Sequence, residues 1–142
     1  MEINITKPMG LDWVKKLIEF YSGNSDLTKK IVDLIKEKDI PLLITSSIQA
    51  NLDNDYGKSK KIAEEYIINN LKKYYIYRLH NVFGKWCRPN YNSVIATFCY
   101  NISHDLDITI NDSSKTLDLI YIDDIVREFI GIMNGNTPDE KI

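Results

Sequence analysis

Glycine is scarce in this chain, with six in 142 residues. Gly10, Gly23, Gly57, Gly84, Gly131 and Gly135 are too scattered to build a G-x-G-x-x-G turn or a P-loop. The chain therefore carries no complete nucleotide-phosphate cradle of either type. Cysteine is scarcer still: Cys87 and Cys99 cannot form a disulfide framework, and neither has His or Cys neighbours at zinc-finger spacing. No apolar run approaches the ~20 residues needed to cross a bilayer, and Met1-Glu2-Ile3-Asn4 lacks the profile of a signal peptide. An excess of basic charge is also missing, since the net charge is -2, which argues against a general nucleic-acid binder. The expectation is a reduced, cytoplasmic protein with no membrane span, no nucleic-acid partner and no metal site.

What is present is 44% hydrophobic and 27% charged, enough for one globular domain. Periodicity divides it into alternating helices and strands. Residues 12–20 read as a helix with Asp12 as N-cap and Trp13, Val14, Leu17 and Ile18 on one stripe. Asn24, Ser25 and Asp26 are expected to open a second helix that buries Leu27, Ile31, Leu34 and Ile35. The run Leu42-Leu43-Ile44 reads as a strand buried on both faces, ending in Thr45-Ser46-Ser47. A turn over residues 51–55 precedes a helix from about Tyr56 to Lys72, with Ile62, Ala63, Tyr66, Ile67 and Leu71 on its apolar side. A strand over Tyr75–Leu79 runs out at Asn81-Val82-Phe83-Gly84. After Pro89 comes a helix with Val94, Ile95, Phe98 and Ile102 buried. Residues 106–110 and 116–122 read as strands, and Asp123 or Asp124 as the cap of a last helix through Met133. Helices between short apolar strands predict an α/β fold with a parallel sheet.

In such sheets ligands gather beyond the carboxyl ends of strands, here Thr45-Ser46-Ser47 and Asn81–Gly84. Directly after the first comes Tyr56-Gly57-Lys58-Ser59-Lys60. Residues four apart on a helix share a face, with Cβ atoms roughly 5–6 Å apart. An ammonium held there favours the phenolate and draws the phenol down from its usual pKa of about 10 toward proton transfer. A strand-end serine hydroxyl can hydrogen-bond the same substrate oxygen while a nicotinamide exchanges hydride with the adjacent carbon. With nine tyrosines in a lysine-rich chain, about one Tyr-x-x-x-Lys is expected by chance, so the pair alone carries little weight. Its context between two strand ends is what singles it out.

That context resembles a known family. Leu43-Ile-Thr-Ser-Ser-Ile-Gln-Ala, then Asn54-Asp-Tyr-Gly-Lys-Ser-Lys with Glu64 one turn on, resemble the extended short-chain dehydrogenases/reductases that act on nucleotide sugars. Tyr77-Arg-Leu-His-Asn-Val-Phe-Gly, Lys85-Trp-Cys-Arg-Pro-Asn-Tyr-Asn-Ser-Val-Ile-Ala-Thr-Phe and Tyr121-Ile-Asp-Asp-Ile-Val are most similar to the capsular-polysaccharide reductases that make a UDP-N-acetyl-fucosamine-type precursor. The likeness covers roughly residues 19 to 134 of a single partial domain over 1–142, with residues 1–18 as a compressed remnant. It implies a partial doubly wound, Rossmann-like parallel sheet lacking the N-terminal cofactor-binding strands. It further implies Tyr56 as general acid, Lys60 as its ribose-binding partner, and Ser47 orienting the reacting oxygen, with Ser46 as alternate. Asn81 would lie near the sugar-diphosphate, and Asn92 with Ser93 would contact the nucleotide.

The implied cofactor is NAD(P) and the implied substrate a UDP-sugar. The missing glycine-rich turn argues against NAD(P) binding by this chain alone. A remnant without activity, a complementing chain that supplies the cofactor half, and a homo-oligomer all stay open. The resemblance also leads to the expectation that the C-terminal metal-binding barrel of the similar capsular reductases is missing here, and Leu117 stands where many family members carry arginine. Loss of the N-terminal strands predicts a new sheet edge at Leu42–Thr45 or Ile3–Ile5. His80 reads as a buried or half-buried structural histidine, His104 as solvent-facing, and Cys87 and Cys99 as small apolar fillers. Trp86, Tyr91 and Tyr100 read equally as core aromatics or as a nucleotide-pocket lining.

Overall fold

The first helix, α1 (Leu11–Phe20), does not stop where the Asn24-Ser25-Asp26 cluster suggests a new start. A π-helical turn over Tyr21–Asp26 carries the chain in right-handed helical backbone directly into α2 (Leu27–Ile35). The would-be capping side chains are used elsewhere: Asn24 donates to Ser59 Oγ at 3.0 Å and Ser25 Oγ donates to the Ser59 carbonyl at 3.0 Å. The computed structural model describes residues 11–138, with side chains from Lys15 onward. The anticipated Ile3–Ile5 strand therefore lies outside the described residues, as do the Trp13 and Val14 side chains. Asp12 sits inside α1, which begins one residue earlier.

The described residues fall into two units that divide between Arg78 and Leu79. In the first, β1 (Leu42–Ser47) pairs with β2 (Tyr74–Leu79), and α3 (Asp55–Asn70) forms the crossover between them. Asn54 caps α3 by accepting the Gly57 N–H at 2.7 Å, and Asp55 adds a favourable charge to its first turn. A 3-10 turn, Ile48–Asn51, links β1 to the cap.

The α2 expectation is corrected by the packing. Val32 and Thr28 are buried, with Ser25 before them, whereas Leu27, Ile31 and Leu34 are 52%, 38% and 68% exposed. The α3 face opposite is Ser59, Ala63 and Ile67, all buried. Small residues on both helices let the backbones approach closely, so the small side chains face inward and the large ones turn out. Ile18 is likewise exposed. Val32, Ile67 and Leu71 form the core, with Ile35, Leu42, Ile44, Tyr66 and Ile76 packed against it. Leu42, Leu43 and Ile44 are only half-buried, not covered on both faces, and among the described residues their sheet has two strands.

In the second unit β3 (Asn81–Phe83) pairs in parallel with β4 (Leu119–Tyr121), in the register Asn81 to Leu119 and Phe83 to Tyr121. Gly84 closes β3 at φ 142°, beside the Tyr121 ring and Ile122, where a side chain would collide. Helix α4 (Val94–Ser103) is capped by Ser93, which accepts the Ala96 N–H at 3.4 Å, and Ile102 on it is 63% exposed.

Residues 106–110 form no strand. Asp105 turns at φ 53°, and the segment bonds back to α4 through Leu106 N–H to the Asn101 carbonyl and Asn101 Nδ2 to the Asp107 carbonyl. An alternating pattern without a neighbouring strand to pair with does not hold a strand. The last helix, α5 (Ile122–Met133), has Tyr121 at its N-cap without a side-chain cap. Neither acidic residue caps it: Asp123 pairs with Lys85 at 3.1 Å and Asp124 with Arg127 at 3.0 Å.

Candidate active site

The first unit brings together Tyr56 and Lys60. The Asn54 cap starts α3 so that both lie on one face of its first two turns. Lys60 Nζ sits 5.7 Å from the centroid of the Tyr56 ring, and Phe20 packs edge-on against that ring at 5.4 Å. Both residues are half-buried. Burial pulls the Lys60 ammonium below its ordinary pKa, opposed by the charge of Glu64. Lys60 makes no ion pair with another described residue, so its N–H groups stay available.

Ser47 and Ser46 take different places. Ser47 caps the 3-10 turn, its Oγ accepting the Gln49 N–H at 3.2 Å. That bond uses a lone pair and leaves the hydroxyl proton free to donate. The Gln49 carbonyl in turn seats on Gly57, the residue after Tyr56, so the turn holding Ser47 rests on the start of α3. Ser46 is buried and donates to Glu64, which is itself buried. A cavity of about 250 Å³ opens beside this strand end, lined by Asn24, Thr28, Ile31, Ser46, Lys60 and Glu64.

Two participants here carried no assigned role in the sequence. Asn24 read as a helix opening, and only the π-helical turn swings it onto the cavity. Irregular turns of this kind recur at functional sites. Glu64 follows Lys60 by four residues, so its shared face was readable. Its partner Arg78, from β2, was not.

In the second unit, Asn81 is exposed and tied down: its backbone N–H and its Nδ2 both reach the Asp118 carbonyl at 3.2 Å. Ser93 serves as the α4 cap, and Asn92 is exposed. An apolar cavity of about 430 Å³ is lined by Phe83, Cys87, Pro89, Ile95, Cys99, Tyr100 and Tyr121. Cys99 is exposed and not a buried filler. Trp86 is 99% exposed at φ 67°, and Tyr91 lies under the Arg88 guanidinium at 5.6 Å, so neither is a core aromatic. His80 is exposed, 3.6 Å from Asp118, which corrects the buried reading, and exposed His104 stacks on Tyr100 at 4.1 Å.

Among the described residues no three His, Cys, Asp or Glu side chains gather as a metal site, and no helix is long and apolar enough to cross a membrane.

Comparison with known proteins adds four findings. The sequence model of the NAD dependent epimerase/dehydratase family matches residues 10–141. UDP-2-acetamido-2,6-beta-L-arabino-hexul-4-ose reductase of Pseudomonas aeruginosa is 50% identical over 132 residues, covering 89% of this chain and 36% of that protein. The crystal structure of the capsular polysaccharide assembling protein CapF from Staphylococcus aureus superposes with a TM-score of 0.70 at 44% identity, over 80% of this chain and 32% of that one. CapF with the inhibitor 3-isopropenyl-tropolone gives 0.64 at 39% identity, over the same shares. The chain thus spans about a third of the length of the relatives it matches.

Proposed function

We propose, from the premise that this chain belongs to the NAD dependent epimerase/dehydratase family, that it carries the proton-transfer side of a nucleotide-sugar reductase or epimerase of capsular or surface polysaccharide synthesis. The observation that carries this reading is the half-buried Lys60 ammonium held 5.7 Å from the Tyr56 ring beside the polar end of β1.

In this reading the Tyr56 hydroxyl donates a proton to the sugar oxygen as that oxygen gains negative charge. The Lys60 charge stabilises the phenolate left behind, which the low dielectric of a half-buried site strengthens. Ser47, whose proton is free, donates a hydrogen bond to the same oxygen and fixes its position. Asn81, Asn92 and Ser93 remain the candidates for the UDP portion, with the Pseudomonas reductase supporting a UDP-sugar as substrate class.

The family implies a nicotinamide cofactor, and the residues present fit its reacting end. Lys60 offers N–H donors to ribose hydroxyls from the edge of a cavity, one helical turn from Tyr56. A bound nicotinamide would supply or accept the hydride. The 142 residues contain no glycine-rich turn for its pyrophosphate, which supports a reading in which residues outside this chain hold that group, on the same or a complementing polypeptide.

A chimera tests the proposal: residues 10–141 replace the matched segment of the Pseudomonas reductase, and NAD(P)H oxidation is followed with its UDP-sugar. The chimera is expected to turn over, and Tyr56→Phe to lower kcat about 10²- to 10⁴-fold, the usual contribution of general acid catalysis. Full activity of the Tyr56→Phe chimera overturns the reading. The isolated chain is expected to show no turnover with either nicotinamide.

A further inference from the structure

Glu64 is a buried carboxylate that the proton transfer above does not use, 3% exposed in the middle of α3. It is the meeting point of the first unit. Arg78 of β2 donates to it through Nε, at 3.0 and 3.1 Å to the two carboxylate oxygens, and through Nη2 at 2.6 Å. Ser46 of β1 donates to it from the other side. The same guanidinium reaches with Nη1 to Asn51 Oδ1 at 2.9 Å, at the end of the 3-10 turn. One carboxylate thereby ties α3 to both strands and, through Arg78, to the turn whose first residues carry Ser47. A forked guanidinium on a carboxylate is both directional and strong, so this contact sets geometry rather than merely charge.

We infer that Glu64 is a positioning residue for the Tyr56–Lys60–Ser47 group: it locks the carboxyl end of β1 onto α3 and holds Lys60, one turn away on the same face, in its charged form. Two facts support the second half. Lys60 and Glu64 line the same cavity, and the charge of Glu64 opposes the loss of the Lys60 proton that burial favours. The charged groups facing Glu64 are Lys60 on its own helix and Arg78 from β2. The elements covering the cavity from the other side, the π-helical turn and α2, contribute Asn24, Thr28 and Ile31, none of them charged. The tight Arg78 pair partly neutralises Glu64, yet leaves a carboxylate where an isolated Arg78 would repel the ammonium.

The inference rests on the proposed role of Lys60, but its test needs neither cofactor nor turnover. Acetylation of the 142-residue chain by acetic anhydride is followed at Lys60 by mass spectrometry across pH, with exposed Lys115, outside α3, as internal reference. The high-pH plateau reports access, and the position of the rise reports charge. Glu64→Gln is expected to raise the Lys60 rate about threefold to tenfold on the rising limb, the range a unit charge one helical turn away produces between high and intermediate dielectric, with the plateau unchanged.

Arg78→Gln, which removes the opposing cation and leaves Glu64 in place, is expected to shift the rise the other way. It decides the matter if Glu64→Gln does not fold by circular dichroism. A Lys60 profile that superposes on the wild type in the folded variant overturns the inference and leaves Glu64 as a structural brace. Failure of the proton-transfer reading would instead appear as an active Tyr56→Phe chimera, with the Lys60 profile still sensitive to Glu64.

Discussion

Gly57→Ala separates two opposed physical effects at one position. On helix propensity alone the change is favourable by about 1 kcal/mol, since Gly57 lies in the first turns of α3 and alanine loses less backbone entropy. The packing says the reverse. A Cβ at residue 57 would overlap the Gln49 carbonyl oxygen and stand 2.9 Å from the Leu52 carbonyl oxygen and 3.0 Å from the Gln49 carbonyl carbon. All three are backbone atoms, so no side chain can rotate away. The 3-10 turn must lift off α3, at about 3 kcal/mol for overpacking that displaces main chain.

The net expectation for Gly57→Ala is a loss of about 2 kcal/mol, which for a chain of this size lowers Tm by roughly 6 °C. Urea and thermal unfolding monitored by circular dichroism measure it. Because the displaced turn carries Ser47, the same substitution in the chimera should lower kcat. An unchanged or raised Tm would refute the close approach of the turn to α3, and with it the placement of Ser47.

Two further outcomes follow from the same unit. Ile67 is fully buried between Val32 and Leu71, and Ile67→Ala should cost about 3 kcal/mol by the cavity it leaves, read as a lower urea midpoint at constant slope; a loss below about 1 kcal/mol would mean the core closes around it. Asp33, Asp39 and Asp53 are held below the ordinary carboxyl pKa of 3.8, each chiefly by a hydrogen bond from a lysine: Lys36, Lys73 and Lys58. Since the folded values are the lower ones, the unfolded chain binds more protons, and the stabilisation present above 3.8 is lost as pH falls through the folded values. The urea midpoint should therefore fall between pH 5 and pH 3, and Lys73→Gln should flatten part of that fall; a midpoint independent of pH would exclude these pairs.

How much was legible in the chain depends on the range of the interaction responsible. The crossover helix was readable from its own residues, because Asn54-Asp55 supply the cap and the first-turn charge, and Ala63, Ile67 and Leu71 recur at helical spacing. The Tyr56–Lys60 face followed for the same reason: four residues along a helix is local geometry. The Leu42–Ser47 and Tyr75–Leu79 strands were signalled by short apolar, β-branched and aromatic runs.

What the chain alone did not disclose lies where a distant partner decides. Large Leu27, Ile31 and Leu34 look like a buried stripe until Ser59 and Ala63 are seen to demand small neighbours, which turns Ser25 and Thr28 inward. Asn24 to Asp26 have capping chemistry, yet Ser59, 35 residues from Asn24 and 34 from Ser25, claims two of the side chains and the helix runs on as a π turn. Residues 106–110 alternate like a strand, but a strand exists only through its neighbour, and no strand among the described residues accepts it. Arg78 reaches Glu64 across 14 residues and a helix. The sequence thus determined the helical face that presents Tyr56 and Lys60, because rise and twist per residue are intrinsic to the backbone. Only the tertiary structure decided which carboxylate, turn and cavity surround that face, because those contacts depend on how separate elements fill space together.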